Sequence, residues 1–413
     1  MCVYFCGKAY SVGDGFCYEG IIHDESSSDK YHFVIDCGNK VPTCRNKWKT
    51  KLSSKSDCET RIEEITDEIA SKCNHINLFI MTHFHEDHYS GYEKLFNKTD
   101  IDTIIMPYLY PEERLCLIIN RDDLSDDDAV FLANPYKTIM NLSEEKNSNV
   151  KLILIRGNES LDSINQDDTN SSENNMWGVR HPEAENILEL EELKASQVQV
   201  IRALSSRISI PNFVWELKFY NLEVDETKID QLKKIIGGLT AQKLFSIVTD
   251  KILKNSIKNQ YSMIAQSLFN DINNTSIVIY HAPYNNERYG TLITGDISLK
   301  NNIANDVLNY FKAEIDKVSL FSIPHHGSDK NWNGAFIKGG ELDNSIGFTF
   351  THNYYTNRLT TKMMSDFRCQ NISVLVVDEN RLSEFEHIIE VYNKFCQYHI
   401  VRKNNHKLIE FYV

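Results

Sequence analysis

Apolar and polar positions along the chain follow two rhythms. Alternation with a period of two runs through Phe213-Val214-Trp215-Glu216-Leu217-Lys218-Phe219-Tyr220, which predicts a half-buried strand. Short, mostly apolar runs at Leu78-Phe79-Ile80-Met81 and Ser276-Ile277-Val278-Ile279-Tyr280 predict buried strands. From Tyr4 to about Tyr108 the pattern predicts strands, a polar helix from Cys58 to Cys73, the Leu78 strand, a short helix after Tyr89 and a strand from Asp100 to Met106. Further on it predicts a helix from Pro111 to Ile119, a strand from Val150 to Ile155, helices between Lys228 and Phe269, and a hairpin joining Ser276–His281 to Tyr289–Thr294. Near the end come a strand at Phe348–Tyr355, another at Ser373–Val377, a helix from Leu382 to Phe395 and a final Ile400–Tyr412 region. Strands mixed with helices in this way predict an α/β (α+β) fold. Between Gly157 and Asn175 the chain is rich in Asn, Ser and Asp and reads as a loop.

The candidate chemistry sits where apolar strands end. Leu78-Phe79-Ile80-Met81-Thr82 runs into His83-Phe84-His85-Glu86-Asp87-His88, four metal-capable side chains in six positions. His83 and His85 are two residues apart, so on an extended strand end both imidazoles project to one side and suit a single ion. Asp87 and His88 follow as the chain turns and can reach a neighbouring ion. Thr291-Leu292-Ile293-Thr294-Gly295-Asp296 is a short apolar strand ending in Gly-Asp, where a carboxylate could bridge two cations. Phe321-Ser322-Ile323-Pro324-His325-His326-Gly327-Ser328 repeats the pattern with two histidines. Adjacent histidines on an extended strand tip face different ways, so one of the pair is expected to bind metal.

Together these segments resemble the metallo-β-lactamase superfamily, whose H-x-H-x-D-H signature reads here as His83, His85, Asp87 and His88. Val34-Ile35-Asp36-Cys37-Gly38 looks like the family's early strand-Asp-Gly element. The Val12-Gly13-Asp14-Gly15 start, the Asn274–Val278 strand and Pro324–Ser328 look like the branch containing the soluble hydrolase domain of bacterial competence (DNA-uptake) proteins and its stand-alone relatives. The resemblance implies a four-layer αβ/βα sandwich as one domain over residues 1–413, with a long mixed insert or lid at about 107–270. It implies that His83 and His85 hold a first metal, that Asp87, His88 and His326 hold a second, and that Asp296 bridges them. Asp36 would support the site from behind. His325 and Ser328 would meet substrate, and His325 would assist proton transfer beside Asp87 and Asp296. Asn353 or Tyr355 could touch substrate as well.

One departure matters. Most of the superfamily places a further histidine between the first cluster and the Gly-Asp, whereas this chain offers Asn274 or Asn273. An amide oxygen suits harder ions than imidazole does, so the two expected divalent ions are zinc or manganese, the first held more loosely. His281 is a poor substitute, because in the predicted hairpin it lies roughly 17 Å along the strand from the metal end at about 3.4 Å per residue. His181 lies in a polar loop and would need a fold-back to reach the site.

Composition narrows the function. The net charge of -14 argues against a protein that coats duplex DNA nonspecifically. The most basic stretch, Arg45 to Lys55 with Lys47, Trp48 and Lys49 at its centre, could steer a polyanion and stack one base. Ten scattered cysteines without a C-x-x-C pair read as reduced. No apolar run reaches the length of a membrane span, and Met1-Cys2-Val3-Tyr4-Phe5-Cys6 lacks the basic region of a secretory signal, which predicts a cytoplasmic location and no membrane partner. The expected activity is hydrolysis by a metal-activated hydroxide, directed at a phosphodiester and foremost at nucleic acid, DNA favoured. Two alternatives stand beside it. One is a hydrolase of small phosphodiesters, cyclic-nucleotide-like or phosphocholine-like. The other is a component of a multi-protein prokaryotic defence assembly whose protein partner docks on the insert and gates the site.

Overall fold

A computed structural model describes residues 2–26, 29–41, 52, 54–119, 124–157, 198–202, 207–210, 213–222, 226–250, 254–259, 273–284, 289–351, 357–392, 395–404 and 407–412. Its strands in chain order are β1 (Cys2–Ala9), β2 (Asp14–Asp24), β3 (Lys30–Lys40), β4 (His75–Ile80), β5 (Asp100–Pro107), β6 (Lys151–Arg156), β7 (Val198–Arg202), β8 (Arg207–Ile210) and β9 (Trp215–Tyr220). They continue with β10 (Val278–Pro283), β11 (Gly290–Ile293), β12 (Val318–Ser322), β13 (Ile346–Phe350), β14 (Ser373–Val377), β15 (Phe385–Tyr392), β16 (Phe395–Asn404) and β17 (Lys407–Tyr412). The chain forms two compact units. One comprises Met1–Ile101, Arg207–Tyr220 and Val278–Val413, and the other Asp102–Ser206 and Asn221–Ile277. The second unit takes in most of the expected insert, while Arg207–Tyr220, inside the 107–270 range, supplies β8 and β9 to the first unit.

The first unit holds two mixed sheets. One runs β17-β16-β15-β1-β2-β3-β4, antiparallel except for the parallel β3–β4 pair, and the other runs β14-β13-β12-β11-β10-β9-β8. In the second sheet β8 to β11 pair antiparallel, whereas β11 to β14 run parallel. The inner faces meet through large rings: Phe5 of β1 stacks on Trp215 of β9 at 4.6 Å between centroids, and Phe16 of β2 meets Phe350 of β13 at 4.5 Å. Such aromatic pairs bury more apolar area per residue than any aliphatic, which is why the apolar strand positions converge here. The helix Lys55–Lys72 buries Cys58, Ile62, Ile65 and Ile69, one helical stripe, and opens on a capping box between Ser54 and Asp57. Arg61 fixes that helix to the connection between β1 and β2 by donating through Nε to Ser11 O at 2.9 Å.

One expectation changes and another gains a neighbour. Among the described residues of Leu382–Phe395, Phe385–Tyr392 form strand β15 after a single 3-10 turn at Arg381–Ser383 and Phe395 opens β16, so the expected helix is not found there. Its apolar positions are spaced by two, with Phe385, His387 and Ile389 all buried, and β1 and β16 take up its backbone hydrogen bonds on both edges. The short helix expected after Tyr89 is preceded by another, Glu86–Tyr89, which carries two of the candidate ligands, and follows as Tyr92–Lys98. The predicted loop at Gly157–Asn175 lies outside the described residues, apart from Gly157.

The second unit contains the parallel strands β5, β6 and β7. Its helix Pro111–Ile119 is buried from Glu112 to Ile119, and Glu113 accepts from Arg156 Nη1 at 2.8 Å. The described residues of both units include no helix long and apolar enough to cross a membrane.

Candidate metal centre

The polar side chains of the centre come from segments that follow strands of the first unit, Asp87 and His88 from the short helix Glu86–Tyr89 beyond β4. His83 follows β4 by three residues, Asp296 follows β11 by three, and His325 and His326 follow β12. Because β11 and β12 run parallel, their C-terminal ends lie side by side, the position at which open α/β sheets present side chains to ligands. Thr294 locks these two ends together: its N–H donates to Ser322 Oγ at 2.7 Å and its hydroxyl donates to Ser322 O at 2.9 Å.

Asp36 enters through a bulge. The β2–β3 register pairs Cys17 with Cys37 and Tyr18 with Ile35, which leaves Asp36 as the extra residue, at φ 53°. Its carboxylate accepts from Thr82 N at 2.7 Å, from Thr82 Oγ1 at 2.6 Å and from His88 Nδ1 at 2.7 Å. Gly38, two residues on, is the point where the turn carrying Asp87 and His88 lies against β3. A Cβ there would fall 2.6 Å from the backbone of both.

The ligand candidates gather around Asp296 in two groups. His83, His85 and Asp296 place one ligand atom each within 4.8 Å of one another, and so do Asp87, His88 and His326. Asp296 Oδ2 faces His83 Nε2 at 3.5 Å and His85 Nδ1 at 3.8 Å, while its Oδ1 faces His88 Nε2 at 3.3 Å and His326 Nε2 at 3.7 Å. His326 Nε2 also stands 3.1 Å from Asp87 Oδ2. Donors around a tetrahedral zinc bonded at about 2.0 Å are separated by about 3.3 Å, so the four spacings to Asp296 leave room for a cation between the atoms. His83 Nε2 and His88 Nε2 are buried and have no hydrogen-bond partner among the described residues. A buried nitrogen left in that state is costly unless a cation or proton donor takes its lone pair. The residues present therefore form buried His/Asp groups able to bind a metal ion.

The far side of each ring is occupied. His88 Nδ1 donates to Asp36, His326 Nδ1 donates to Phe350 O at 3.1 Å, and His83 Nδ1 donates to Thr82 Oγ1 at 3.1 Å. In each of the three this turns Nε2 inward. Burial disfavours charge on His88, but the Asp36 and Asp296 carboxylates outweigh it and push the imidazole up to about 10. The same negative field favours a metal cation. Burial alone would raise the Asp296 carboxyl, yet His325, His326, His88 and His83 hold it well below the usual carboxylate range. Asp87 is likewise held low against burial, by Lys40 first and then by its hydrogen bond with His326.

Other candidates have separate places. Asn274 lies half-buried on a 3-10 turn, Asn273–Thr275, within the second unit. Ser328 closes the histidine turn, its N–H donating to His325 O at 3.0 Å. His281 belongs to neither metal group and lies buried with Nε2 at 3.3 Å from Tyr18 Oη. Lys47, Trp48, Lys49, Asn353 and Tyr355, and His181 with them, fall outside the described residues. The expectation that adjacent histidines diverge does not hold: His325 and His326 both have positive φ, 50° and 55°, so the side-to-side alternation of an extended strand is absent, and both rings turn toward Asp296.

Sequence reasoning missed Lys40, Asp14 and Arg358. Lys40 Nζ sits 2.5 Å from Asp87 Oδ2, and Arg358 Nη1 pairs with Asp14 at 2.6 Å. Asp14 had a signal, its place in the Gly13-Asp14-Gly15 segment. Lys40, at the end of β3, had none. Neither a protein-family model nor a curated protein matches this sequence.

Proposed function

We propose that this chain is a hydrolase dependent on two divalent ions, zinc or manganese, that it cleaves phosphodiesters, and that its substrate is a nucleic acid, DNA foremost. The observation that carries the reading is the division of one carboxylate: Asp296 turns one oxygen to His83 and His85 and the other to His88 and His326. A bridging carboxylate between two donor sets is the arrangement a binuclear hydrolase needs. The order of the segments, His83-x-His85-x-Asp87-His88, then Gly295-Asp296, then Pro324–Ser328, supports membership of the metallo-β-lactamase superfamily and its αβ/βα sandwich. Two sheets packed face to face support it too.

A divalent pair held by these residues would supply Lewis acidity, lowering the pKa of a water and offsetting the negative charge that builds on the phosphoryl oxygens. The chain's own groups do the rest. Asp36, Thr82 and Phe350 O fix ring orientation. Lys40 balances the Asp87 carboxylate, and with a side chain about one third exposed, at 32%, its ammonium is placed to meet an incoming phosphate oxygen.

The test is metal content and hydrolysis of bis-p-nitrophenyl phosphate, beside nuclease assays on single- and double-stranded DNA. Wild type is compared with the double variant Asp87→Ala, His88→Ala, each chelated and then reloaded with Mn or Zn. Two ions and turnover in wild type, with turnover lost in the variant, are expected. Activity confined to the small diester would replace the nucleic-acid reading with a cyclic-nucleotide-like or phosphocholine-like substrate. A wild type that takes up no metal would end the proposal.

A further inference from the structure

The first donor group is one imidazole short of the family's pattern, and the structure offers a different residue from the one the sequence suggested. His325 Nδ1 lies 3.2 Å from Asp296 Oδ2, the same oxygen that faces His83 and His85. It is buried and has no hydrogen-bond partner among the described residues. Five imidazoles thus converge on one carboxylate, three on Oδ2 and two on Oδ1, and the Oδ1 pair is completed by Asp87.

Resting on the metal-dependent reading above, we propose that His325 is the third imidazole of the first metal position, through Nδ1, in place of the amide of Asn274. The backbone is built to present it. His325 is held in the left-handed region, which non-glycine residues rarely adopt, and in the same turn as His326. Its N–H donates to Gly295 O at 3.1 Å, tying it directly to the residue before Asp296, and its own C=O accepts from Ser328 N. Strain of this kind persists where the surroundings fix a side chain for a purpose. His325 stands outside the compact triplet of His83, His85 and Asp296, and at 28% its side chain is the most exposed of the five rings.

The consequence is chemical. Three imidazoles and one carboxylate oxygen make a nitrogen-rich set, which suits zinc and disfavours manganese at that position. The first ion is then not the looser of the two. A ligand role also separates from a proton-transfer or phosphate-contacting role, because neither of those changes metal binding without substrate present.

The experiment loads the full-length protein, labelled with 15N at histidine, with two equivalents of 113Cd as the probe. Coupling between cadmium and His325 Nδ1 is expected in the wild-type imidazole spectrum, a readout that needs no variant and no activity. Zinc titration then compares His325→Ala with Asn274→Ala. His325→Ala should keep one tight ion and weaken the other by at least tenfold, while Asn274→Ala keeps both. Absence of cadmium coupling at His325 with coupling at His83 and His85 would overturn the inference alone. So would loss of an ion in Asn274→Ala but not in His325→Ala. A wild type that binds no cadmium or zinc would overturn the metal-dependent reading together with it.

Discussion

At Asp36 one carboxylate serves three donors and touches no candidate metal position itself. It takes up Thr82 N, Thr82 Oγ1 and His88 Nδ1, and through Thr82 Oγ1 it also fixes His83. Replacing it by alanine removes the acceptor and leaves those groups buried, at about 1–3 kcal/mol for each one unsatisfied. His88 loses the partner that selects its tautomer, and losses behind a ligand reduce metal affinity by about 10–100-fold. Asp36→Ala should therefore bind zinc in that range more weakly than wild type in a chelator competition, with a lower denaturation midpoint. Unchanged zinc affinity would show that the His88 ring is held by its packing against Phe16, which stacks on it at 5.7 Å, and not by Asp36.

At the scale of elements, the short turn Glu86–Tyr89 is positioned by the absence of a side chain. Gly38 lets the backbone of Asp87 and His88 lie on β3, where a Cβ would come within 2.6 Å of three main-chain atoms that have no freedom to swing away. Gly38→Ala should displace the turn, reduce the bound zinc from two ions toward one and lower the unfolding temperature. Retention of both ions at wild-type affinity would mean that β3, not the turn, gives way. What the sequence made legible follows the same division. His83, His85, Asp87 and His88 could be read because metal chemistry demands several donors within one turn of chain. Asp296 and the histidine pair could be read because each ends an apolar strand. The direction of His325 could not, since it depends on two successive left-handed residues that no periodicity announces. Lys40 could not either, because a single lysine after a strand acquires meaning only when Asp87 folds back to within 2.5 Å of it. The region Leu382–Phe395 was misread because Leu382, Phe385 and Ile389 also fit a helical stripe. Only pairing with β1 and β16 decides for the strand.

For the first unit as a whole, its two sheets enclose a second group of histidines with a different task. His281 of β10 and His387 of β15 both turn Nε2 to Tyr18 Oη, at 3.3 and 2.6 Å, in a space walled by Phe5, Phe33 and Trp215. One hydroxyl can donate to one ring and accept from the other, so both rings can remain neutral. Burial lowers the His387 imidazole from 6.5 to about 3, and burial followed by its neighbour His387 lowers His281 well below its usual value. The unfolded chain takes up these protons near pH 6.5 whereas the folded protein does not, so the unfolded state binds more protons throughout the interval below that pH. The stability the two residues provide is complete above about pH 6.5 and falls as the pH drops toward 3, by about 1.4 kcal/mol per pH unit for each fully neutral histidine. Between pH 6.5 and 5 the pair accounts for a loss of about 3 kcal/mol, in a range where the low-lying Asp14 and Glu19 carboxylates, each at about 2, remain ionised. Urea unfolding at pH 6.5 and 5 should show this slope, and His281→Phe, which suits its aromatic surroundings, should reduce it by about half. An unaltered slope in that variant would place the acid sensitivity elsewhere in the protein.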